Sequence, residues 1–176
     1  MRRGDYMIHA YIEQGKEFKG SDDTANPMVE ICCLGQKKYG SAKKNITQLS
    51  EVSWMEHIFM EPKNVEKQDA EDAQIVIRVL DKGIFKDELI GQFEFNLSYI
   101  YFKKDHIMQH QWVAISNPNG EDYSTITGYI KLSISVVCTG DEQVQITDED
   151  GMEEDTNIMM PPQLNPKFYQ LKFRFF

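Results

Sequence analysis

Apolar and polar side chains alternate with a period of two along most of this chain, and this alternation constrains its fold more than any other feature. Only residues 97–106 suggest a short helical turn, and 62–72 is predicted to be a long polar loop. The pattern therefore predicts an all-β fold, an eight-stranded antiparallel β-sandwich. The predicted strand segments are 5–13, 28–34, 37–44, 51–59, 73–80, 89–97, 110–115 and 127–138.

The composition changes sharply after residue 138. Residues 138–157 carry eight acidic side chains and no lysine or arginine, so the net charge of −9 mostly describes this stretch. Such a segment is typical of a solvated linker. The last residues, FYQLKFRFF, alternate again as a strand does. We therefore expect a folded domain at 3–139, an acidic, Pro-containing linker at 140–166 and an orphan strand at 167–176.

The chain shows no sign of catalysis or secretion. Its three cysteines are Cys32, Cys33 and Cys138, and the first two are adjacent in a strand, where they point to opposite faces and do not pair. An odd number of cysteines indicates a reducing, cytoplasmic location. No apolar run is long enough to span a bilayer. Metal-ligand spacings, phosphate loops and nucleophile motifs are lacking, so we expect neither an enzyme nor a nucleic-acid-binding protein.

Three colinear motifs resemble the C2 domain. ANPMVEICCLGQKKYGS is similar to its second and third strands, and IVIRVLDKGIFKDELIGQFEFNL to a strand, an acidic loop and the next strand. HQWVAI and TGYIKLSISV resemble its closing strands, so the resemblance covers about residues 5–139. The ending, GYIKLSISVVCTGDE, then an acidic linker and PKFYQLKFRFF, resembles the second C2 domain of ferlins, its linker and the first strand of the following C2 domain.

This resemblance implies a function at membranes. Ferlins are large tail-anchored proteins with several C2 domains that act in membrane fusion, vesicle trafficking and repair. We therefore expect a non-enzymatic module that is peripheral to the cytoplasmic face of membranes and binds an anionic phospholipid surface. Other C2 domains or trafficking proteins are further expected partners. The alternative is a scaffolding domain for protein–protein interaction that binds neither lipid nor calcium.

Calcium binding by a C2 domain needs carboxylates that converge from two apical loops, because Ca²⁺ takes about six to eight oxygen ligands. By the resemblance, Asp81 and Glu88 occupy two ligand positions, with Asp87 beside the second. Asn26 and Gly83 replace two others. One interpretation is a residual site that binds calcium weakly through Asp81, Asp87 and Glu88. The other, which the missing carboxylates favour, is a degenerate loop whose acids face water, with no cofactor.

The tip of the later loop offers a contact that does not depend on calcium. Ile84 and Phe85 stand between Lys82 and Lys86. At a lipid interface each apolar side chain contributes at most about 2–3 kcal/mol, and each lysine about 1 kcal/mol near an anionic surface. One of the two apolar residues can instead pack beneath the loop. A second basic cluster is predicted either to bind a membrane or partner or to form an ordinary solvated strand edge: Lys37, Lys38, Lys43 and Lys44.

Overall fold

The computed structural model describes residues 1–20, 23–120, 125–142, 145–146 and 157–161. Its strands are β1 (Tyr6–Lys16), β2 (Thr24–Ala25), β3 (Pro27–Cys33), β4 (Gln36–Tyr39), β5 (Ile46–Thr47), β6 (Glu51–Met60), β7 (Gln74–Asp81), β8 (Glu88–Asn96), β9 (Ile107–Ser116) and β10 (Ile126–Cys138). Two short helices, α1 (Lys67–Asp72) and α2 (Leu97–Tyr101), and a 3-10 turn at Lys104–His106 connect them. The predicted all-β class is confirmed. The predicted strand 167–176 and most of the acidic linker lie outside the described residues.

Eight of the strands form one antiparallel sheet that folds into two layers. Layer A consists of β4, β3, β7 and β8, and layer B of β9, β10, β1 and β6, in that order. A single residue pair, Gln92 of β8 with Ser116 of β9, joins the layers in the ladder. Gly91 permits this close approach, because a Cβ at that position would collide with the hydroxyl of Thr127. The strands β2 and β5 form a separate short ribbon.

The hydrophobic core lies between the two layers. Ile31 and Ile77 of layer A and Ile8 and Leu132 of layer B are fully buried there. Each belongs to an alternating apolar segment, so the pattern that predicted the strands also predicted their buried faces. The eight-stranded antiparallel sandwich expected from the sequence is confirmed.

The connections differ from expectation at two places. The predicted strand 37–44 ends at Tyr39, so 40–44 belong to a connection. The prediction of a polar loop through 62–72 is wrong for Lys67–Asp72, which form α1. The only buried side chain of this helix is Ala70, so it lacks the apolar stripe by which a helix is recognised in a sequence. The helical turn expected within 97–106 is confirmed as α2 and the 3-10 turn, with Leu97 and Ile100 buried against the core.

A row of β-bulges crosses layer B from strand to strand. The pairing of β1 with both neighbours shifts register between Ile12 and Gln14, and the pairing of β10 with β9 shifts between Leu132 and Ile134. On the strands opposite these shifts, Met55 and His110 take positive φ angles of 51° and 50°. Bulges increase the local twist of a sheet, so the row curves layer B across its whole width.

A buried carboxylate lies in this row. Glu13 is 4% exposed and accepts hydrogen bonds from the Ser133 hydroxyl at 2.9 Å and from His110 Nδ1 at 3.0 Å. The His110 backbone N–H donates to Ser133 Oγ at 2.8 Å, and Lys131 Nζ lies 3.9 Å from the carboxylate. In the neutral imidazole the proton therefore sits on Nδ1. The buried Nε2, without a hydrogen-bond partner among the described residues, is then a lone pair rather than an N–H.

Removal of this carboxylate should weaken the fold. We expect Glu13→Ala to lower the free energy of unfolding by about 1–3 kcal/mol, because the buried hydroxyl of Ser133 and the imidazole of His110 lose their acceptor. Urea unfolding followed by tryptophan fluorescence measures the change. Glu51→Ala, at the exposed start of β6, is the matched control and should stay within about 0.5 kcal/mol of the wild type. Equal effects of the two substitutions would contradict a structural role for Glu13.

Candidate functional site

The predicted calcium and loop-tip residues lie at one end of the sandwich, here called the apical end. Lys16, the last residue of β1, pairs there with Glu51 of β6, and Pro27 of β3 pairs with Asp81 of β7. The connections 17–26, 40–50 and 82–87 are therefore neighbouring apical loops. The ribbon of β2 and β5 ties the first of these loops to the second.

Asn26 links all three apical loops. Its backbone N–H donates to Asp81 Oδ1 at 2.7 Å, and its backbone carbonyl accepts the Lys82 N–H at 3.0 Å. Its side-chain Oδ1 accepts the Asn45 N–H at 3.1 Å, and its Nδ2 lies 3.4 Å from the Lys82 carbonyl. At a position where the resemblance places an aspartate ligand, this chain therefore joins the loops by hydrogen bonds.

The three predicted calcium ligands have separate surroundings. Asp81 accepts the hydrogen bond from the Asn26 backbone, and Asp87 forms an ion pair with Lys82 Nζ at 3.0 Å. Glu88 is exposed at the first position of β8. In the part of the chain that the structure describes, no group of three or more His, Cys, Asp or Glu side chains is arranged to hold a metal ion.

The later loop projects both of its apolar side chains into solvent. Ile84 is 94% exposed and Phe85 is 101% exposed. The tight turn beneath them requires Gly83, because a Cβ at that position would collide with the Lys86 carbonyl oxygen. Of the two arrangements left open by the sequence, the structure therefore shows the one in which neither residue packs beneath the loop.

A third apolar side chain, which the sequence analysis did not select, projects at the same end. Leu49 is 96% exposed. It lies in a turn in which the Ser50 N–H donates to the Thr47 carbonyl at 3.0 Å and the two hydroxyls lie 2.7 Å apart. We call Leu49, Ile84 and Phe85 the apical tip.

The structure distributes the four hairpin lysines over different surroundings. Lys37 and Lys38 are neighbours in β4 and so point to opposite faces. Lys37 Nζ lies 3.2 Å from Glu30, and Lys43 Nζ lies 3.7 Å from Glu56. Two members of the set are exposed and form no ion pair among the described residues: Lys38 and Lys44.

Lys37 takes part in a cluster on the outer face of layer A. Glu30 is buried and also accepts a hydrogen bond from Arg78 Nη1 at 2.8 Å. Burial alone would raise the pKa of Glu30, but the hydrogen bonds from Arg78 and Lys37 lower this pKa below its ordinary value. The ammonium of Lys37 therefore has a local acidic partner.

Four ring side chains form a second surface on the outer face of β1 and β6. His9 stacks on Phe59 with ring centroids 4.2 Å apart, and Tyr11 stacks on His57 at 4.3 Å. The two stacks are joined through His9 Nε2 and His57 Nδ1, which are 2.8 Å apart. Burial and, next, the neighbouring His57 lower the pKa of His9 to about 4. We call these four residues the ring cluster.

Comparison with known families gives the assignment. The model of the C2 domain matches residues 7–115, which extend from β1 almost to the end of β9. The chain belongs to the C2 domain family. In the described part of this C2 domain, no helix is long and apolar enough to cross a membrane.

Similar proteins support a ferlin-like C2 domain. The chain is 27% identical over 161 residues to myoferlin of Xenopus tropicalis and 25% identical over 162 residues to myoferlin of Homo sapiens. Both alignments cover 89% of this chain but only 8% and 7% of the relatives, so the chain spans less than a tenth of their length. The predicted ferlin resemblance is confirmed at the level of a ferlin-like C2 domain.

Solved structures agree with the C2 fold. A pair of C2 domains from Extended-Synaptotagmin 2 gives a TM-score of 0.58 at 16% identity, covering 76% of this chain and 39% of that chain. A single C2 domain of plant Extended Synaptotagmin 1 also gives 0.58, at 13% identity, and the match covers 80% of this chain and 100% of that chain. At these identities the likeness shows the fold alone.

Sequence reasoning missed two features of this C2 domain. Leu49 is the one large apolar residue between Thr47 and Glu51. An isolated apolar residue in a polar loop was the sequence feature that could have indicated an exposed tip. The ring cluster depends on strand register, in which Tyr11 faces His57 and His9 faces Phe59. A single strand shows only which of its residues share a face, so the pairing across strands was not predictable from the pattern.

The ring cluster predicts a pH dependence of stability. Because the pKa of His9 is about 4 in the folded domain and about 6.5 in an unfolded chain, the unfolded state binds more protons between these values. The stability that depends on neutral His9 is complete above about pH 6.5 and is lost as the pH falls towards about 4. His9→Asn should therefore reduce the dependence of the melting temperature on pH in this window.

Differential scanning fluorimetry at several pH values between about 7 and 4 measures this slope. His106→Asn is the control, because His106 lies on the 3-10 turn outside the ring cluster. This variant should keep more of the dependence of the melting temperature on pH than His9→Asn does. An unchanged slope in His9→Asn would refute the assignment.

Proposed function

We propose that this chain is a non-enzymatic C2 module that binds anionic phospholipid membranes through its apical tip, without a requirement for calcium. In a longer protein it would act at the cytoplasmic face of membranes, in the vesicle trafficking or membrane fusion that the ferlin resemblance implies. One observation carries the proposal: three large apolar side chains from two apical loops, Leu49, Ile84 and Phe85, are almost fully exposed at one end of the domain.

The energetics favour a reversible contact. Each tip side chain contributes at most about 2–3 kcal/mol when it leaves water for the interface. Three such contributions, reduced by the free-energy cost of association, suit peripheral binding rather than permanent insertion. Lys86 adds a cation without an ion-pair partner among the described residues, whereas Lys82 is held by Asp87. We therefore assign the main electrostatic contact of the tip to Lys86.

The apical loops support binding without calcium. Asn26 holds the three loops together by hydrogen bonds, and Asp81 already accepts one of them. Gly83 occupies a turn that has no room for a ligand side chain. A cation would therefore have to compete with bonds that already order the loops, and it would find few carboxylates in return for its lost hydration.

Vesicle sedimentation tests the role of the apical tip. The wild-type chain should pellet with vesicles of phosphatidylcholine mixed with phosphatidylserine. Phe85→Ser should weaken this binding about tenfold or more, because a large apolar side chain no longer enters the interface, and the Leu49→Ser, Phe85→Ser double variant should weaken it further. Circular dichroism should remain unchanged, since both positions are exposed.

Phe102→Ser provides the matched control. Phe102 is 68% exposed but follows α2, at the end of the domain opposite the apical loops. It should leave vesicle binding unchanged. Loss of binding in Phe102→Ser but not in Phe85→Ser would place the contact elsewhere, and an absence of pelleting by the wild type would contradict the membrane function.

Calcium addition tests the second part of the proposal. Binding to the same vesicles should differ less than about twofold between calcium and a chelator, because the hydrogen bonds of Asn26 do not depend on an ion. Isothermal titration with calcium alone is the companion measurement and should give no heat of binding. An increase in vesicle affinity of about tenfold or more with calcium would show that Asp81, Asp87 and Glu88 form a working site.

The ring cluster favours a second candidate function, docking of another protein. Met55 and Phe59 are each 49% exposed on the outer face of β6, next to the stacked His9. Exposed aromatic and apolar groups on a sheet face are typical of interaction surfaces. If the chain pellets with neither neutral nor anionic vesicles, this scaffolding function becomes the better supported one.

A further inference from the structure

One edge of β9 is open. Its other edge pairs with β10, but on the open side the ladder to β8 consists of the pair of Ser116 with Gln92. The peptide groups of residues 112–115 therefore lie outside the described ladder between β8 and β9. An open strand edge offers N–H and C=O groups to a further extended segment.

A short segment from beyond the sandwich lies on this edge. Met159 pairs with Val113 in parallel orientation. The Met159 N–H donates to the Trp112 carbonyl, and the Ala114 N–H donates to the Met159 carbonyl, both at 2.9 Å. Residues 157–161 thus pair with β9 through one β-bridge at Met159, on the edge of β9 that faces away from β10.

The side chains of this segment have unequal environments. Met159 packs against the main core, whereas Ile158 and Met160 are 40% and 52% exposed. Gln111 Nε2 donates to the Asn157 carbonyl at 2.6 Å, before the anchored residue. Within the part of the chain that the structure describes, the segment is held by one apolar anchor, two backbone hydrogen bonds and one side-chain hydrogen bond.

We propose that the open edge of β9 is a docking site for an extended peptide, and that residues 157–161 are its exchangeable intramolecular occupant. We call the backbone of 112–114, the amide of Gln111 and the space filled by the Met159 side chain the edge site. Its ligand is a peptide that pairs with β9 in parallel orientation. This peptide has a side chain of the size of Met or Leu at the position of Met159, and the residues on either side of that position stay exposed to solvent. The edge site lies on the side of the sandwich and shares no residue with the apical tip.

The occupant is exchangeable because it has few contacts. Ordering five residues costs conformational entropy that one buried side chain and three hydrogen bonds only partly offset. Attachment to the same chain offsets the rest of this entropy cost, because a tethered segment is present at the edge site at an effective concentration of about millimolar. A free peptide at micromolar concentration is therefore excluded from the edge site until the tethered segment leaves it.

Pro161 limits the length over which the occupant pairs with β9. It has no N–H, so it donates no further hydrogen bond to β9. The backbone pairing of the occupant therefore stops before Pro161, and the Met159 side chain supplies most of its specificity.

The edge site is tested by releasing the occupant in the full chain. Met159→Asp places a charge where the anchor meets the core, whereas Met160→Asp makes the same change at an exposed neighbour. Amide hydrogen exchange at Ala114 should accelerate about tenfold or more in Met159→Asp and remain as in the wild type in Met160→Asp. Gln111→Ala removes the side-chain hydrogen bonds to the Asn157 and Trp112 carbonyls but leaves the Met159 anchor in place. It should give a smaller acceleration, and it serves as the test if Met159→Asp does not fold.

Peptide binding is then measured directly. A fluorescent peptide with the sequence TNIMMPP should bind Met159→Asp with a Kd of about 0.1 mM, bind the wild type and Met160→Asp at least about tenfold more weakly, and lose binding when its own anchor is changed to Asp. Faster exchange at Ala114 without peptide binding would show a structural strand only and overturn the docking site. Unchanged exchange at Ala114 in both Met159→Asp and Gln111→Ala would overturn the exchangeable occupant.

Discussion

The two layers of this domain are joined in the hydrogen-bonded ladder by one residue pair, and much of the molecule follows from that constraint. Gln92 and Ser116 meet where Gly91 permits a close approach, and the described ladder between β8 and β9 contains no other pair. The layers are therefore held together by their core side chains rather than by continuous strand pairing. The open edge of β9 and the position of residues 157–161 are consequences of this geometry.

At the apical end, hydrogen bonds within the chain connect the loops. The backbone and amide of Asn26 reach Asp81, Lys82 and Asn45 and so join the three apical loops. Such bonds cost little desolvation because most of their partners are backbone groups at a partly exposed surface. The order that they give to the loops allows the apical tip to project, since a collapsed loop would bury Ile84 or Phe85 against its own stem.

The sequence predicted those features of the structure that arise within a single strand, and it did not predict those that arise from the pairing of two strands. Alternation identified the long strands and their buried faces, because these follow from a period of two. For Ile84 and Phe85 the sequence left open whether one of them packs beneath the loop, since a polar loop does not determine the direction of each side chain. Alternation could not identify the contact of His9 with Phe59 or the buried position of Glu13, which depend on register and bulges between strands. The segment at 157–161 was also missed, since a single anchored side chain, Met159, gives no periodic signal.

The direction of the additional strand connects the edge site with the apical end. Because residues 157–161 run parallel to β9, they advance towards Ser116 and the loop that follows it. This is the end at which the tip residues project, whereas Cys138, the last residue of β10, lies at the opposite end, where β1 begins with Tyr6. Residues 157–161 therefore lie nearer the apical end than Cys138 does. As long as Met159 is docked, Pro161 is held near the apical end, and release of this anchor would free the chain from that position without disturbing either layer.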